Sequence, residues 1–171
     1  MAERSAARGF APTLFEKLFD DMPLRPSEAA PLKRLSLDEL KDSVARDLEA
    51  LLNSRGGAGL TNPDYFPLTA SSVWSYGMED FVGLSLANPA DCHRICTTIE
   101  RAIADHEPRL RNTRVTIETD GSSKTSLRFV ITALLVVHPA REPVNFDAFL
   151  QPTTQQYSVA KSRHIPVPGQ I

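Results

Sequence analysis

The chain has 171 residues, of which 42% are hydrophobic, enough for one compact core with tails but a squeeze for two complete domains. Its 19 basic and 21 acidic side chains leave a formal charge of −2 with no long block of like charges, so the composition makes no case for nucleic acid. No apolar run reaches the roughly 18 residues of a bilayer span. The first residues carry charge in place of a signal-peptide core, and two cysteines point to a reducing compartment. A cytoplasmic protein without membrane insertion is expected.

Residues 1–35 read as an arm with one short helical patch. Thr13 and Glu16 have capping-box spacing, and Leu14, Phe15, Leu18 and Phe19 form an apolar stripe too short to be stable alone. Pro23, Pro26 and Pro31 keep the following segment extended. Whether the arm packs on its own domain or docks on a partner stays open at this point.

Residues 36–55 give the clearest helix. Ser36 and Glu39 make a capping box, Leu35 and Leu40 a hydrophobic staple, and Leu40, Val44, Leu48, Leu51 and Leu52 recur at helical spacing. The charges among them, Asp47 included, read as a solvated face. Gly56-Gly57-Ala58-Gly59 follows a helix and lacks the lysine of a phosphate loop, so it is a flexible connection. Residues 60–88 are aperiodic and predict a loop wrapped over the core, with Trp74, the one tryptophan, as its lid.

Asn88 as cap and Pro89 at the first helical position open a second helix, whose buried stripe is Cys92, Ile95, Cys96, Ile99, Ala102 and Ile103. It ends at Glu107-Pro108-Arg109, because proline cannot continue a helix and forces the residue before it out of the α region. Period-two patterning then takes over: Val115 and Ile117, an Asp120-Gly121 hairpin signal, a β-rich run over 125–137, Val144 to Leu150, and Gln156 to Val159. The outline is α+β: two main helices packed on a three- to four-stranded, largely antiparallel sheet. The expected organisation is an arm (1–35), the α+β domain (36–160) and a loose tail (161–171).

Little chemistry assembles from these residues. Cys92 and Cys96 fall on the apolar stripe, where cysteine behaves as a small hydrophobe, and no second ligand pair completes a metal site. No nucleophile elbow is present, and Glu100, Asp105 and Glu107 are glycosidase candidates by residue type alone. No cofactor and no metal are expected. Glu107 and Arg109 either form an incidental exposed ion pair, the reading composition favours, or present a rigid two-signed site to a partner.

Four ordered segments carry a family resemblance: Thr13 to Asp20, Arg34 to Leu52, Ser72 to Phe81, and Ile99 to Leu110 with Glu107-Pro108-Arg109; Arg141 to Phe146 fits as well. Together they resemble TssE, the small baseplate subunit of the bacterial type VI secretion system, which is similar to the lysozyme-like wedge protein of contractile phage baseplates. The turn at 151–156 departs from relatives, which typically have an acidic-glycine pair followed by a basic residue there. The resemblance implies a non-enzymatic structural subunit in the cytoplasm, at a baseplate docked on the inner membrane. Its implied partners are wedge subunits of TssF, TssG and TssK type and sheath proteins, with Glu107, Pro108 and Arg109 as partner-binding residues and strand addition to the first sheath ring. The alternative from another class is a muramidase-like peptidoglycan hydrolase using Glu107.

Overall fold

The computed structural model describes residues 9–18, 24, 34–56, 68, 72–79, 81, 84–85, 88–118, 127–137, 140–151 and 153–162. Several expectations lie outside these residues: the proline-spaced segment, the Gly57–Gly59 connection, the Asp120-Gly121 turn and the tail beyond residue 162. The chain divides into two compact units, residues 1–44 and 45–171, with the boundary inside helix α2 (Leu37–Asn53).

In the first unit Phe10 and Leu35 form an antiparallel bridge, each N–H donating to the other's carbonyl at 2.8 and 2.9 Å. Arg34 donates to the Gly9 carbonyl beside it. Helix α1 (Leu14–Leu18) leaves Leu14 and Leu18, two of the expected stripe residues, exposed. The capping box that starts α2 forms as its spacing predicts: the Ser36 N–H donates to Glu39 Oε2 at 2.8 Å, and the Glu39 N–H donates to Ser36 Oγ at 3.2 Å. All five stripe residues of α2, Leu40 to Leu52, are buried.

The second unit holds the rest of α2, helix α3 (Pro89–His106) and four strands: β1 (Leu110–Glu118), β2 (Leu127–Val137), β3 (Ala140–Gln151) and β4 (Gln156–Lys161). They form one antiparallel meander in chain order. Asn88 caps α3 by accepting from the Ala90 N–H, with Pro89 next in line. Alternation sets the core face: Val115 from β1, Phe129, Ile131, Ala133 and Leu135 from β2, Val144, Phe146 and Ala148 from β3, and Tyr157 and Val159 from β4. Ile95, Ile99, Ala102 and Ile103 bury the facing stripe of α3, while Cys92 and Cys96 are only half-buried at its margin. Trp74, expected as a lid on the core, is 60% exposed on a 3-10 turn (Val73–Ser75), and fully buried Met78 takes the interior position instead.

Both edges of the sheet are tied to helices by side chains. On β1, the Val115 N–H donates to Glu100 Oε1 of α3 at 2.8 Å. On β4, the Tyr157 N–H donates to Asn53 Oδ1, Asn53 Nδ2 donates back to the Tyr157 carbonyl, and the Val159 N–H donates to Glu49 Oε2, each at 2.8 Å. These groups would otherwise offer a ready edge for another strand. β4 pairs with β3 only from Phe146 to Gln151. The first half of β3 therefore has β2 on one side and no strand on the other among the described residues. The Ser162 N–H donates to the Asn145 carbonyl, so by alternation the main chain of Arg141 and Pro143 also faces that open side. Proline is tolerated at 143 because its missing N–H falls where no partner waits.

Two turns accept left-handed residues. Asn112 (φ 53°) sits at a bulge that shifts the β1–β2 register between Arg111 and Arg114. Gln155 (φ 54°) closes the β3–β4 connection, fixing the register with Gln151 opposite Gln156 and Leu150 opposite Tyr157.

Candidate functional site

The corner between α3 and β1 is built from the backbone outward. Glu107 leaves the helix at φ −120°, ψ 82° while its N–H still donates to the Ile103 carbonyl. Its own carbonyl accepts from the Leu110 N–H at 3.1 Å, so residues 107–110 close a β-turn with Pro108 at the second position, where its fixed φ is favoured. The Val136 N–H then donates to the Arg109 carbonyl at 2.8 Å, fastening the turn to β2. Pro108 is exposed at the tip.

The side chains fold inward. Glu107 is only 6% exposed. Arg109 Nε donates to Glu107 Oε1 at 2.7 Å and Nη2 to Oε2 at 2.5 Å, and the Arg109 N–H donates to Oε1 at 3.2 Å. The same Nη2 also donates to Asp47 Oδ2 of α2 at 2.5 Å. The guanidinium thus bridges the carboxylate of Asp47 in α2 and that of Glu107 just past the end of α3, in the two-point geometry a planar fork allows. Burial opposes its charge, but the hydrogen bonds and negative charges of Glu107 and Asp47 outweigh burial and hold Arg109 more firmly protonated than usual.

A second layer braces this knot. Gly77, at φ +121°, lies so close to the end of α2 that a Cβ there would stand 2.6 Å from the Ser54 carbonyl oxygen. That approach permits a parallel bridge, with the Met78 N–H donating to Ser54 and the Gly56 N–H donating to Met78. It brings Tyr76 against His106, ring centroids 5.4 Å apart and nearly perpendicular. His106 Nε2 lies 3.1 Å from the Ser75 carbonyl, a bond that requires the proton on Nε2. The Tyr76 phenol is pushed up by burial and then by the charges of Asp47 and Glu107.

The structure therefore brings the predicted Glu107 and Arg109 together across Pro108, with Glu107 buried in place of the exposed pair that composition favours. Sequence reasoning missed Asp47, Tyr76 and His106 as members of the cluster. For Asp47 a signal existed: it lies three residues after Val44 and four before Leu51, both buried, so it shares their side of α2. The other candidate carboxylates are engaged elsewhere, Glu100 with the Val115 N–H and Asp105 with Arg101. Among the described residues no group of three or more His, Cys, Asp or Glu side chains could hold a metal ion, and no helix is long and apolar enough to cross a membrane.

These features define an α+β module, helices against an antiparallel meander, joined at a corner locked by buried charge. The chain belongs to a family of baseplate proteins: the family model described as "Baseplate wedge protein gp25" matches residues 38–140, more than half of its length. The match spans α2, α3, β1 and β2 and ends at the first residue of β3. A chain of the solved structure "The baseplate complex from the type VI secretion system" is similar at 16% identity and a TM-score of 0.44, over 66% of this chain and 95% of that one. No curated protein matches the chain.

Proposed function

We propose that this protein is a non-enzymatic structural subunit of a type VI secretion baseplate, joining the wedge complex at the Glu107-Pro108-Arg109 corner and starting sheath assembly by strand addition. Membership of the baseplate wedge family supports a structural role, and the ordered resemblance to TssE favours the secretion machine. The observation that carries the reading is the bridged corner. Both carboxylate oxygens of Glu107 accept from Arg109, which suits a fixed post better than a general acid that must exchange a proton. In this reading the partner, a wedge subunit of TssF, TssG or TssK type, meets exposed Pro108 and the outer part of Arg109, while Glu107 and Asp47 hold the guanidinium in place. The protein works in the cytoplasm, on a baseplate docked at the inner membrane.

The strand-addition part is best supported at the open half of β3. The middle of β4 has its outward groups taken by Asn53 and Glu49, whereas the main chain of Arg141 and Pro143 faces no strand among the described residues. A sheath segment paired there would gain affinity from main-chain hydrogen bonds.

Copurification with the wedge subunits tests the corner. Pro108→Ser should keep the thermal stability of the wild type and lose most of the copurification; unchanged capture by that variant and by Arg109→Lys would overturn the corner as an interface. Arg141→Pro removes an N–H that faces no strand among the described residues, and with it an exposed guanidinium, so Arg141→Ala is the control: the fold should stay intact in both, and sheath assembly should stop in the proline variant alone. Peptidoglycan turnover by the purified protein that disappears in Glu107→Gln would sink the scaffold reading in favour of the muramidase.

A further inference from the structure

The sheet has a second face, opposite the apolar side that forms the core. Register places Arg111, Arg114, Thr116 and Glu118 of β1 on it, then Arg128, Val130, Thr132, Leu134 and Val136 of β2. From β3 come Arg141, Pro143, Asn145, Asp147 and Phe149. Its charges are unevenly distributed. At one end Arg128 bridges three strands, donating to Glu118 Oε2 at 2.5 Å and to Asp147 Oδ1 at 2.9 Å, so one positive charge is shared by two carboxylates and that end stays acidic on balance. At the other end Leu134 and Val136 are half-buried and Pro143 exposed, with Arg111 opposite Leu134 and Arg141 opposite Val136. Neither Arg111 nor Arg141 has an ion-pair partner among the described residues, and Arg114 reaches Glu100 only at 3.9 Å.

We infer that this end of the outer face is a docking surface for an acidic amphipathic helix of a partner protein. Charge complementarity selects the occupant: an apolar centre rimmed by two unpaired arginines and one weakly paired arginine fits an apolar stripe flanked by carboxylates. Shape agrees, because neighbouring strands are about 4.8 Å apart and a helix about 10 Å wide covers β2 and β3 together. Its acidic flank would then lie over Arg111 and Arg114, with Arg141 at the end of the groove. The apolar centre and the chain's net negative charge disfavour a nucleic acid. The surface borders the open edge of β3 at Arg141 and Pro143, whereas Arg111 stands two strands away from that edge and so reports on the face alone.

The test uses the full chain and a synthetic amphipathic peptide with leucines at helical spacing and glutamates beside them. Amide shifts should move at Arg111, Leu134 and Val136, and Arg111→Glu should weaken binding about tenfold without changing thermal stability. Leu134→Ser should weaken it as well. The inference is overturned if the peptide does not bind, if a scrambled peptide of the same composition or a lysine-for-glutamate version binds as well, or if the shifts fall on β4 instead. Tighter binding of duplex DNA or phosphatidylglycerol vesicles than of the peptide would overturn it too. Because Arg111→Glu leaves the β3 edge and the Pro108 tip intact, wedge capture and sheath assembly can fail or survive independently of peptide binding.

Discussion

Replacing Arg109 with methionine keeps most of the side-chain volume and removes the charge that bridges Glu107 and Asp47. The two carboxylates then behave differently. Asp47, with its side chain 47% exposed, can rehydrate, and losing its partner is worth at most about 1 kcal/mol. Glu107 is 6% exposed and becomes a buried carboxylate without its counter-ion, for which breaking a pair costs about 3–5 kcal/mol. Arg109 itself is 23% exposed on its side chain, so the lower end, about 3 kcal/mol, is expected. At about 2–4 °C per kcal/mol for a chain of this size, the midpoint of thermal unfolding should fall by about 6–12 °C. Urea titration followed by far-UV circular dichroism gives the free energy by linear extrapolation. Arg109→Met, Glu107→Gln and the double variant form a cycle, with Asp47→Asn as the reference for a solvent-screened partner. If Arg109→Met costs less than about 1 kcal/mol, no more than Asp47→Asn, the corner is not locked by buried charge. Arg109→Glu, the charge reversal a pure interface residue would tolerate, should be worse still, because it places a third carboxylate beside Glu107 and Asp47.

Three further outcomes follow from geometry. The Tyr157 hydroxyl is buried without a hydrogen-bond partner among the described residues, and burial pushes its pKa from 10.0 up to about 12. The native state therefore keeps its proton after the unfolded chain has lost it, so stability is intact below pH 10 and falls between about 10 and 12, by roughly 3 kcal/mol in all. Tyr157→Phe should flatten that alkaline limb and gain about 1 kcal/mol at neutral pH; a loss at neutral pH would mean the hydroxyl has a partner. Gly77→Ala should cost about 1–3 kcal/mol in urea titration, since φ +121° and the nearby Ser54 oxygen exclude a Cβ. Glu49→Ala should speed amide exchange at Val159 and promote self-association in size-exclusion chromatography, while a monomer with wild-type exchange would show that Glu49 does not guard the β4 edge.

Local chemistry carried much of the fold into the sequence. Ser36 with Glu39, and Asn88 with Pro89, start the two long helices as capping rules demand. Period-two patterning gave all four strands because each has one buried face. The bulge at Asn112 and the left-handed Gln155 were not legible, since neither is glycine and each is set by the register of the strands it joins. Trp74 was misplaced for a related reason: an aromatic in an aperiodic loop carries no signal of which side meets the core. At the corner, Pro108 announced the bend, but the partners of Arg109 did not appear. Asp47 lies 62 residues away and looked like one charge among many on α2. Only its position between Val44 and Leu51 could have marked it.

The side-chain hydrogen bonds that close β4 join residues 104 and 110 positions apart. Among the described residues β4 is the last strand of the chain, and its outer edge is satisfied by side chains of α2, an element made far earlier. Until β4 docks, a growing chain presents the whole of β3 as an unpaired border. Closing so long a loop is slow compared with forming either helix. During synthesis the protein therefore passes through a stage in which its sheet is three strands wide and open along one side, and the final strand then closes the half of that border from Phe146 to Gln151.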